Sequence, residues 1–203
     1  MPKKLMETRE DLRNAMIDAA EAIIVADGVE SLTARRLATD MGIAVGTTYN
    51  QFRQMDELIS EVSARTLAAL GREIKAAAGA GGAPEDNIMA YAEAYLEFVS
   101  SNPKRWAALF SGSLDPQSEA QHRNNEQIQK LFSFLEGELS ELYGGENRDV
   151  VKQSARALWA AVHGMLMLAS GGRLEVLELD DIHSSVRLLV RYHLAGMAAQ
   201  PSV

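Results

Sequence analysis

The chain has 203 residues, no cysteine and a formal net charge of −8. The absence of cysteine excludes disulfides, thiolate metal sites and cysteine nucleophiles within this chain, and the negative charge argues against diffuse binding to DNA or anionic membranes. A hydrophobic fraction of 47% is enough for one large or two small domains. No apolar run is long enough to span a membrane, and residues 1–11 lack the apolar region of a signal peptide. We therefore expect a cytoplasmic protein with no membrane association.

Good helix formers dominate the chain, and period-two runs of β-branched residues are lacking. The sequence therefore predicts an all-α fold of about nine helices. The first helix begins after the Thr8 cap and ends before Gly28. The second is short and runs from the Thr33 cap to Gly42. The third covers about residues 44–51.

A long fourth helix ends in the Ala/Gly/Pro segment of residues 76–84, which is the one obvious linker. Beyond it, helical periodicity and Gly or Pro stop signals predict four or five more helices. They cover about residues 85–101, 104–112, 118–143, 149–170 and 180–198.

The second and third predicted helices, joined by a tight turn and packed on the first, describe a helix-turn-helix. Gly42 would supply the positive φ that a short turn between helices demands. Gly46 would leave the front of the third helix without a side chain, so that the backbone can approach a phosphate or a base edge. The side chains of Thr47 to Gln51 are hydroxyls and amides, which base edges and phosphates accept as partners. The pattern predicts that this segment recognises a DNA duplex.

Positive charge is scarce in this part of the chain, because residues 1–60 contain seven Lys/Arg against ten Asp/Glu. Arg35 and Arg36 lie in the first turn of the second helix, where a cation opposes the helix dipole unless an anion such as phosphate is near. The acids of the first helix are predicted to face away from DNA. A basic rim would then consist of Arg35, Arg36, Arg53 and an N-terminal arm with Lys3, Lys4 and Arg9.

The segment LTARRLATDMGIAVGTTYNQF resembles the signature of the TetR family of one-component transcriptional repressors, and the resemblance covers about residues 9–60. It implies a three-helix DNA-binding head, residues 1–55, and a divergent helical body for ligand binding and dimerisation, residues 56–203. It also implies phosphate contacts for Thr33 and Tyr49 and a base contact for Arg35. With the basic rim, the candidate DNA-binding residues are Thr33, Arg35, Arg36, Ala44, Val45, Gly46, Thr47, Tyr49, Asn50, Arg53, Lys3 and Lys4.

Two positions depart from the family pattern. Met55 stands where the family often has a lysine, and Gln54 stands where it usually has a Ser or Asn cap. We therefore expect one DNA-backbone contact fewer, with Arg53 as the nearby substitute.

The C-terminal body contains WAAVHG at residues 159–164, which is similar to a W-x-x-x-H-G pattern of one C-terminal subclass of the TetR family. His163 has three interpretations: a core or interface histidine, a pocket residue, or a metal ligand. We predict no resident metal or cofactor. Aromatic and methionine side chains of the body are suited to an apolar effector. The candidate pocket residues are Met89, Tyr95, Phe98, Trp106, Phe110, Trp159, His163 and Met167.

The last two predicted helices carry small residues and an apolar face, as expected for a two-fold dimer that packs as a four-helix bundle. The candidate interface residues are Ala155, Ala161, Gly164, Ile182, Val186, Leu189 and His193.

The sequence favours a repressor that binds a pseudo-palindromic DNA operator as a homodimer and is released by a small apolar or amphipathic effector. One alternative is a regulator without a small-molecule effector, which acts through a protein partner or as an activator. The other is an enzyme that uses Asp180, Asp181 and His183, or His163. We predict no enzyme, because a nucleophile motif and a phosphate loop are lacking, and because the two aspartates fit the start of the last helix better.

Overall fold

The computed structural model describes residues 8–79, 82–111, 119–143, 148–170 and 181–199. All regular structure in these ranges is helical, which confirms the predicted all-α class. A turn of 3₁₀ helix, Val29–Ser31, follows the first helix. The helices are α1 (Arg9–Asp27), α2 (Ala34–Met41), α3 (Val45–Gln51), α4 (Met55–Ala77), α5 (Pro84–Ser101), α6 (Pro103–Ala108), α7 (Glu119–Tyr143), α8 (Arg148–Ser170) and α9 (Ile182–Ala198).

Side-chain caps begin the helices at three predicted places. Thr8 accepts from the backbone N–H of Asp11, while the Asp11 carboxylate accepts from the N–H of Thr8, which completes a capping box. Thr33 caps α2, and Asp181 caps α9 by accepting from two backbone N–H groups. Within the described ranges, every helix is too short or too polar to cross a bilayer.

The chain divides into two compact units. The first unit comprises Met1–Ala69 and Asn102–Gln127, and the second comprises Leu70–Ser101 and Ile128–Val203. The first boundary between these units along the chain lies inside α4, between residues 69 and 70. The predicted boundary between residues 55 and 56 divides the chain by function instead, and it stays a prediction.

The core of the first unit forms where α1 packs against α2, α4 and α6. The apolar positions of α1 recur every three or four residues, so Met16, Ala20 and Ile24 lie on one buried face. Leu37 of α2 and Phe52, directly after α3, complete this core. Each of the larger side chains in this core stabilises the fold by about 1.5–3 kcal/mol when fully buried, so the short helices α2 and α3 are held mainly by packing on α1 and α4.

The second unit packs α5 against α8 and α9. The buried positions of α8 are Val151, Ala155, Leu158, Val162 and Leu166, whose spacing places them on one side of the helix. Val186, Val190 and Leu194 form the matching stripe of α9. Both helices therefore turn an apolar stripe of Ala, Val and Leu residues towards the core of this unit.

Candidate DNA-binding surface

The turn between α2 and α3 sets the direction of α3. Gly42 has φ 66° and ψ 35°, a left-handed conformation that costs glycine nothing. The N–H of Ile43 donates to the carbonyl of Ala38 at 2.9 Å, and the N–H of Gly42 donates to that of Thr39 at 3.2 Å. These two bonds form a Schellman motif, which satisfies the last carbonyls of α2. The predicted role of Gly42 is confirmed.

One face of α3 belongs to the core. Thr48 is only 1% exposed, and its hydroxyl has no hydrogen-bond partner within the described residues. Phe52 is equally buried at 1% and fixes the end of the helix. The expectation that Thr48 offers its hydroxyl to DNA is therefore wrong, because a helix of seven residues that packs on a core must bury one of its two central threonines.

The opposite face of α3 is open to solvent. Val45, Gly46, Tyr49 and Asn50 are exposed, with Tyr49 at 53%, and Thr47 is half-buried beside them. A Cβ added at Gly46 would meet nothing within 4 Å, so internal packing does not demand glycine there. Exposed backbone, hydroxyl and amide groups on one short helix form a surface suited to base edges. Ala44, the N-cap residue of α3, is exposed at the same end.

The start of α2 lies in the same helix-turn-helix. The Thr33 hydroxyl accepts from the N–H of Arg36 at 3.1 Å and retains its own proton for another acceptor. Arg35 is exposed, and within the described ranges its guanidinium forms no ion pair. Thr33 and Arg35 are thus accessible to a phosphate or a base, as their predicted roles require.

Arg36 has its partners inside the protein. Its Nε donates to Asp40 at 2.7 Å, and a terminal nitrogen donates to Asp27 at 3.2 Å. The hydrogen bond to Asp40 is the main cause of a raised pKa for Arg36. Arg36 therefore offers less free positive charge than the predicted rim assumes, because these two carboxylates bond to it and offset its conflict with the helix dipole. Its contact with DNA stays a prediction.

The remaining basic candidates differ in position. Arg53 is exposed, and its backbone N–H donates to Glu57 at 2.9 Å, near the start of α4. Lys3 and Lys4 lie outside the described residues. Met55, where the family often has lysine, packs against the core of the first unit. The departure at Met55 therefore exchanges a cation for an apolar contact.

The sequence did not point to Arg13 of α1 or Glu61 of α4, and it placed Arg9 in a basic rim rather than beside the end of α3. Arg9 donates to the backbone carbonyl of Asn50 at 3.3 Å, and Arg13 donates to that of Gln51 at 3.1 Å. Arg13 also bonds to Glu61 at 2.6 Å. The sequence contains one signal for this arrangement: no glycine follows α3, and its last turn has no basic residue. The last carbonyls of α3 therefore need donors from another part of the chain.

The pocket candidates belong to different units. In the second unit the hydroxyl of Tyr95 lies 2.8 Å from Nδ1 of His163, and the ring of Trp159 stacks on His163 at 4.7 Å. Burial lowers the pKa of His163. Phe98 is fully buried, Met89 is half-buried, and Met167 is exposed. In the described parts of the chain, three or more His, Asp or Glu side chains nowhere come together as metal ligands.

Trp106 and Phe110, the other two pocket candidates, lie in the first unit. Their rings meet edge to face at 5.0 Å, with Trp106 buried and Phe110 exposed. Trp106 and Phe110 thus pack with helices of the first unit, and the assignment of the eight residues to an effector pocket stays a prediction.

The dimer candidates also divide into two groups. Ala155 and Val186 are 0% exposed inside the second unit, so their assignment to an interface is wrong. Ala161, Gly164, Ile182, Leu189 and His193 are half-buried. The exposed apolar side chains of α8 and α9 are Val150, Trp159, Met167, Leu188 and Tyr192, the last at 69%.

An open groove of about 530 Å³ lies beside several of these side chains on α8 and α9. His193 borders it and bonds to the Ser154 hydroxyl at 2.6 Å through Nε2. Burial lowers the pKa of His193. The groove is lined by Val150, Gln153, Ser154, Ala157, Tyr192, His193, Gly196 and Met197.

Two family profiles match the chain. Residues 16–62 match the profile described as bacterial regulatory proteins of the tetR family. Residues 88–192, more than half of the chain, match the profile described as the C-terminal domain of tetracyclin repressor-like proteins.

Similar proteins agree with these matches. An uncharacterized HTH-type transcriptional regulator from Mycobacterium tuberculosis is 26% identical over 182 residues, which is 87% of this chain and 78% of the relative. A protein of unknown function from Rhodococcus sp. RHA1 has a similar structure, with a TM-score of 0.73, 18% identity and coverage of 96% of this chain and 98% of that one. The structure of BioQ with its double-stranded DNA operator has a TM-score of 0.66 at 20% identity, over 93% of this chain and 98% of BioQ.

Proposed function

The chain belongs to the tetR family of bacterial regulatory proteins, which are transcriptional regulators with a DNA-binding helix-turn-helix, and we propose that this member is a repressor. On this proposal it binds a pseudo-palindromic operator as a homodimer and leaves it when a small apolar or amphipathic effector binds. A cytoplasmic location and the absence of enzymatic activity are part of the same proposal.

The observation that carries the DNA-binding assignment is the solvent-exposed face of α3. Val45, Gly46, Tyr49 and Asn50 lie together on it, while Thr48 and Phe52 hold the other face in the core. A glycine without internal packing neighbours is costly in a helix, by about 1 kcal/mol relative to alanine. Close approach of DNA to this face gives a reason for Gly46. In the helix-turn-helix arrangement, the second helix of the motif enters the major groove.

Within the described residues, the free positive charge on this surface is modest. Arg35 and Arg53 are exposed, whereas Arg36 bonds to Asp27 and Asp40. A regulator with few phosphate contacts has a shallow salt dependence and weak non-specific binding. Discrimination between sequences then depends mainly on contacts to base edges, for which Arg35, Thr47 and Asn50 supply donors and acceptors.

The homodimer is supported by the exposed apolar surface of α8 and α9. Leu188 and Tyr192 of α9 and Trp159 of α8 are exposed, and Tyr192 also lines the groove bordered by His193. Exposed apolar side chains concentrated on two helices typically mark an interaction site. A two-fold axis through this surface would give one recognition helix to each half of an operator.

The effector is supported by the chemistry of the second unit. Tyr95, Trp159 and His163 form a chain of ring contacts with one internal hydrogen bond. Such a cluster suits an apolar ligand that carries one polar group. Thermal shift of the full-length protein against apolar and amphipathic compounds tests this step, and a regulator that no compound stabilises would favour the effector-free alternative.

Selection of DNA by the full-length protein tests the function as a whole. Randomised duplexes of about 30 base pairs, roughly three helical turns, are enriched on the protein and sequenced. We expect an inverted repeat whose half-sites are about one helical turn, or a multiple of it, apart. Asn50→Ala should weaken binding to the enriched duplex and relax the preference at one position of each half-site. Failure to enrich any sequence would refute sequence-specific binding.

A further inference from the structure

The C-terminal end of α3 needs support from outside the helix. The last backbone bond there runs from the N–H of Phe52 to the carbonyl of Thr48, which leaves the carbonyls of Asn50 and Gln51 without helical donors. Arg9 and Arg13 of α1 donate to these two oxygens. Cations at a helix C-terminus also interact favourably with the helix dipole.

Arg13 is fixed on three sides, whereas Arg9 makes one described contact. The Arg13 guanidinium donates to the Gln51 carbonyl at 3.1 Å and to Glu61 at 2.6 Å. Its central carbon lies 4.2 Å from the centroid of the Phe52 ring, a cation–π arrangement. A planar group held by a carbonyl, a carboxylate and a ring has little freedom to move. The end of α3 is therefore fastened to α1 and α4 at one point.

Glu61 of α4 gives this arrangement a second connection. Its side chain is 13% exposed, and the oxygen that accepts from Arg13 also accepts from Arg123 of α7. The neighbouring Ser60 hydroxyl accepts from the amide of Asn124 at 2.9 Å. Because two arginines bond to one carboxylate oxygen, Glu61 is held in an orientation that faces Arg13.

We propose that Arg13 is a positioning residue for operator recognition: held by Glu61 and Phe52, it fixes the C-terminal end of α3, and with it Tyr49 and Asn50, in the pose that meets the base edges. The inference rests on the proposed DNA-binding role of α3 and assigns Arg13 no contact with DNA.

The test compares Arg13→Met with a matched control, Arg65→Met, in the full-length protein. Methionine keeps an unbranched stem over Phe52 but removes the guanidinium. Arg65 also links α4 to α1, through Asp18 and through Glu21 at 3.7 Å. Its side chain is 36% exposed, against 33% for Arg13, and the described ion pairs and hydrogen bonds of Arg65 do not involve α3. Urea denaturation measures the stability cost of each change.

Binding to the selected operator and to a scrambled duplex of equal length provides the first readout. We expect Arg13→Met to weaken operator binding about 10- to 100-fold, which corresponds to the loss of a charge-assisted hydrogen bond. The affinity for the scrambled duplex and the slope of log affinity against log salt should stay unchanged. Arg65→Met should leave the ratio of the two affinities intact. A salt slope that falls by about one would show that Arg13 contacts a phosphate itself, and this result would overturn the proposal.

Hydrogen exchange of the free protein provides a second readout that needs no operator. We expect the amides of residues 50–52 to exchange about tenfold faster in Arg13→Met than the change in global stability accounts for, and Arg13→Lys to restore only part of the protection because it lacks the second donor arm. Unchanged exchange would overturn the inference even if the protein binds DNA as proposed. If the wild-type protein selects no sequence, the proposed function fails, whereas faster exchange in Arg13→Met would still show that Arg13 fixes α3.

Discussion

A terminal nitrogen of Arg36 lies 3.2 Å from a carboxylate oxygen of Asp27, so that the start of α2 is linked to the end of α1. Asp40, one turn further along α2, bonds to the same guanidinium. The sequence suggests that Arg36 contacts a phosphate. In the structure two carboxylates of the protein itself bond to its guanidinium.

The first prediction is that removal of both acids increases DNA affinity. Asp27→Asn combined with Asp40→Asn releases Arg36, and we expect binding to any duplex to strengthen with a salt slope steeper by about one. The free energy of unfolding should change little, because exposed ion pairs contribute little to stability. Fluorescence anisotropy over a series of salt concentrations measures both quantities. Restoring the wild-type slope by adding Arg36→Gln would confirm that Arg36 is responsible.

The second prediction separates the stability of α3 from its function. Gly46→Ala should stabilise the protein by about 0.5–1 kcal/mol, since alanine favours helix and its Cβ meets nothing. The same methyl group should weaken operator binding. Gly137 of α7 is a matched control, because it is exposed, helical and equally free of neighbours. If Gly46→Ala and Gly137→Ala both stabilise the protein and neither changes operator affinity, DNA does not approach α3 closely at this position.

The third prediction uses the neighbouring pair Thr47 and Thr48. Thr48→Val keeps the shape of the side chain and removes a buried hydroxyl without a described partner, so we expect a stabilisation of about 1 kcal/mol and unchanged DNA binding. Thr47→Val should have the opposite profile, with little effect on stability and weaker operator binding. Denaturation and anisotropy on both variants measure these effects. Weaker DNA binding by Thr48→Val would contradict the orientation of α3.

The fourth prediction concerns the dimer. Tyr192→Asp places a charge in the exposed apolar surface of α9, and we expect dimer dissociation to increase about 30- to 1000-fold, as for a hot-spot residue. Val25→Asp is the control, because Val25 is an exposed apolar residue of α1, outside α8 and α9. Sedimentation at several protein concentrations determines the association state. A dimer that survives Tyr192→Asp and dissociates with Val25→Asp would place the interface elsewhere.

The fifth prediction is a loss of stability in mild acid. Burial lowers the pKa of His163 and of His193 in the folded protein. Between their folded values and the unfolded value of about 6.5, the unfolded chain binds more protons, so the free energy of unfolding falls as pH decreases through this window. His163→Asn, which retains an acceptor for Tyr95, should flatten the curve between about pH 7.5 and 5.5. A curve as steep as that of the wild type would assign the effect to other groups.

Much of the fold follows from local signals in the sequence. Thr8, Thr33 and Asp181 cap helices as their side chains suggest, and Gly42 adopts the left-handed conformation expected after a short helix. These features depend on residues close together in the chain, so a single sequence is enough to find them.

Longer-range relationships are not visible in a single sequence. Arg13 and Glu61 are 48 residues apart, and neither belongs to a sequence motif that predicts its bonding partner. Ala155 and Val186 lie on helices that have apolar residues on more than one side, so periodicity alone cannot tell the face inside the protomer from the face that meets another protomer. Thr47 and Thr48 differ by one position in a helix too short to show a period.

Arg9, Arg13 and Arg36 all bond to acceptors within the first unit. A chromosome offers on the order of a million or more competing sites to any DNA-binding protein, and free cations are what hold a protein on random sequence. Each arginine that bonds to a carbonyl or carboxylate of the protein itself is one cation fewer for random sequence, so a larger share of the copies stays free of random sequence. Fewer molecules per cell are then needed to keep an operator occupied.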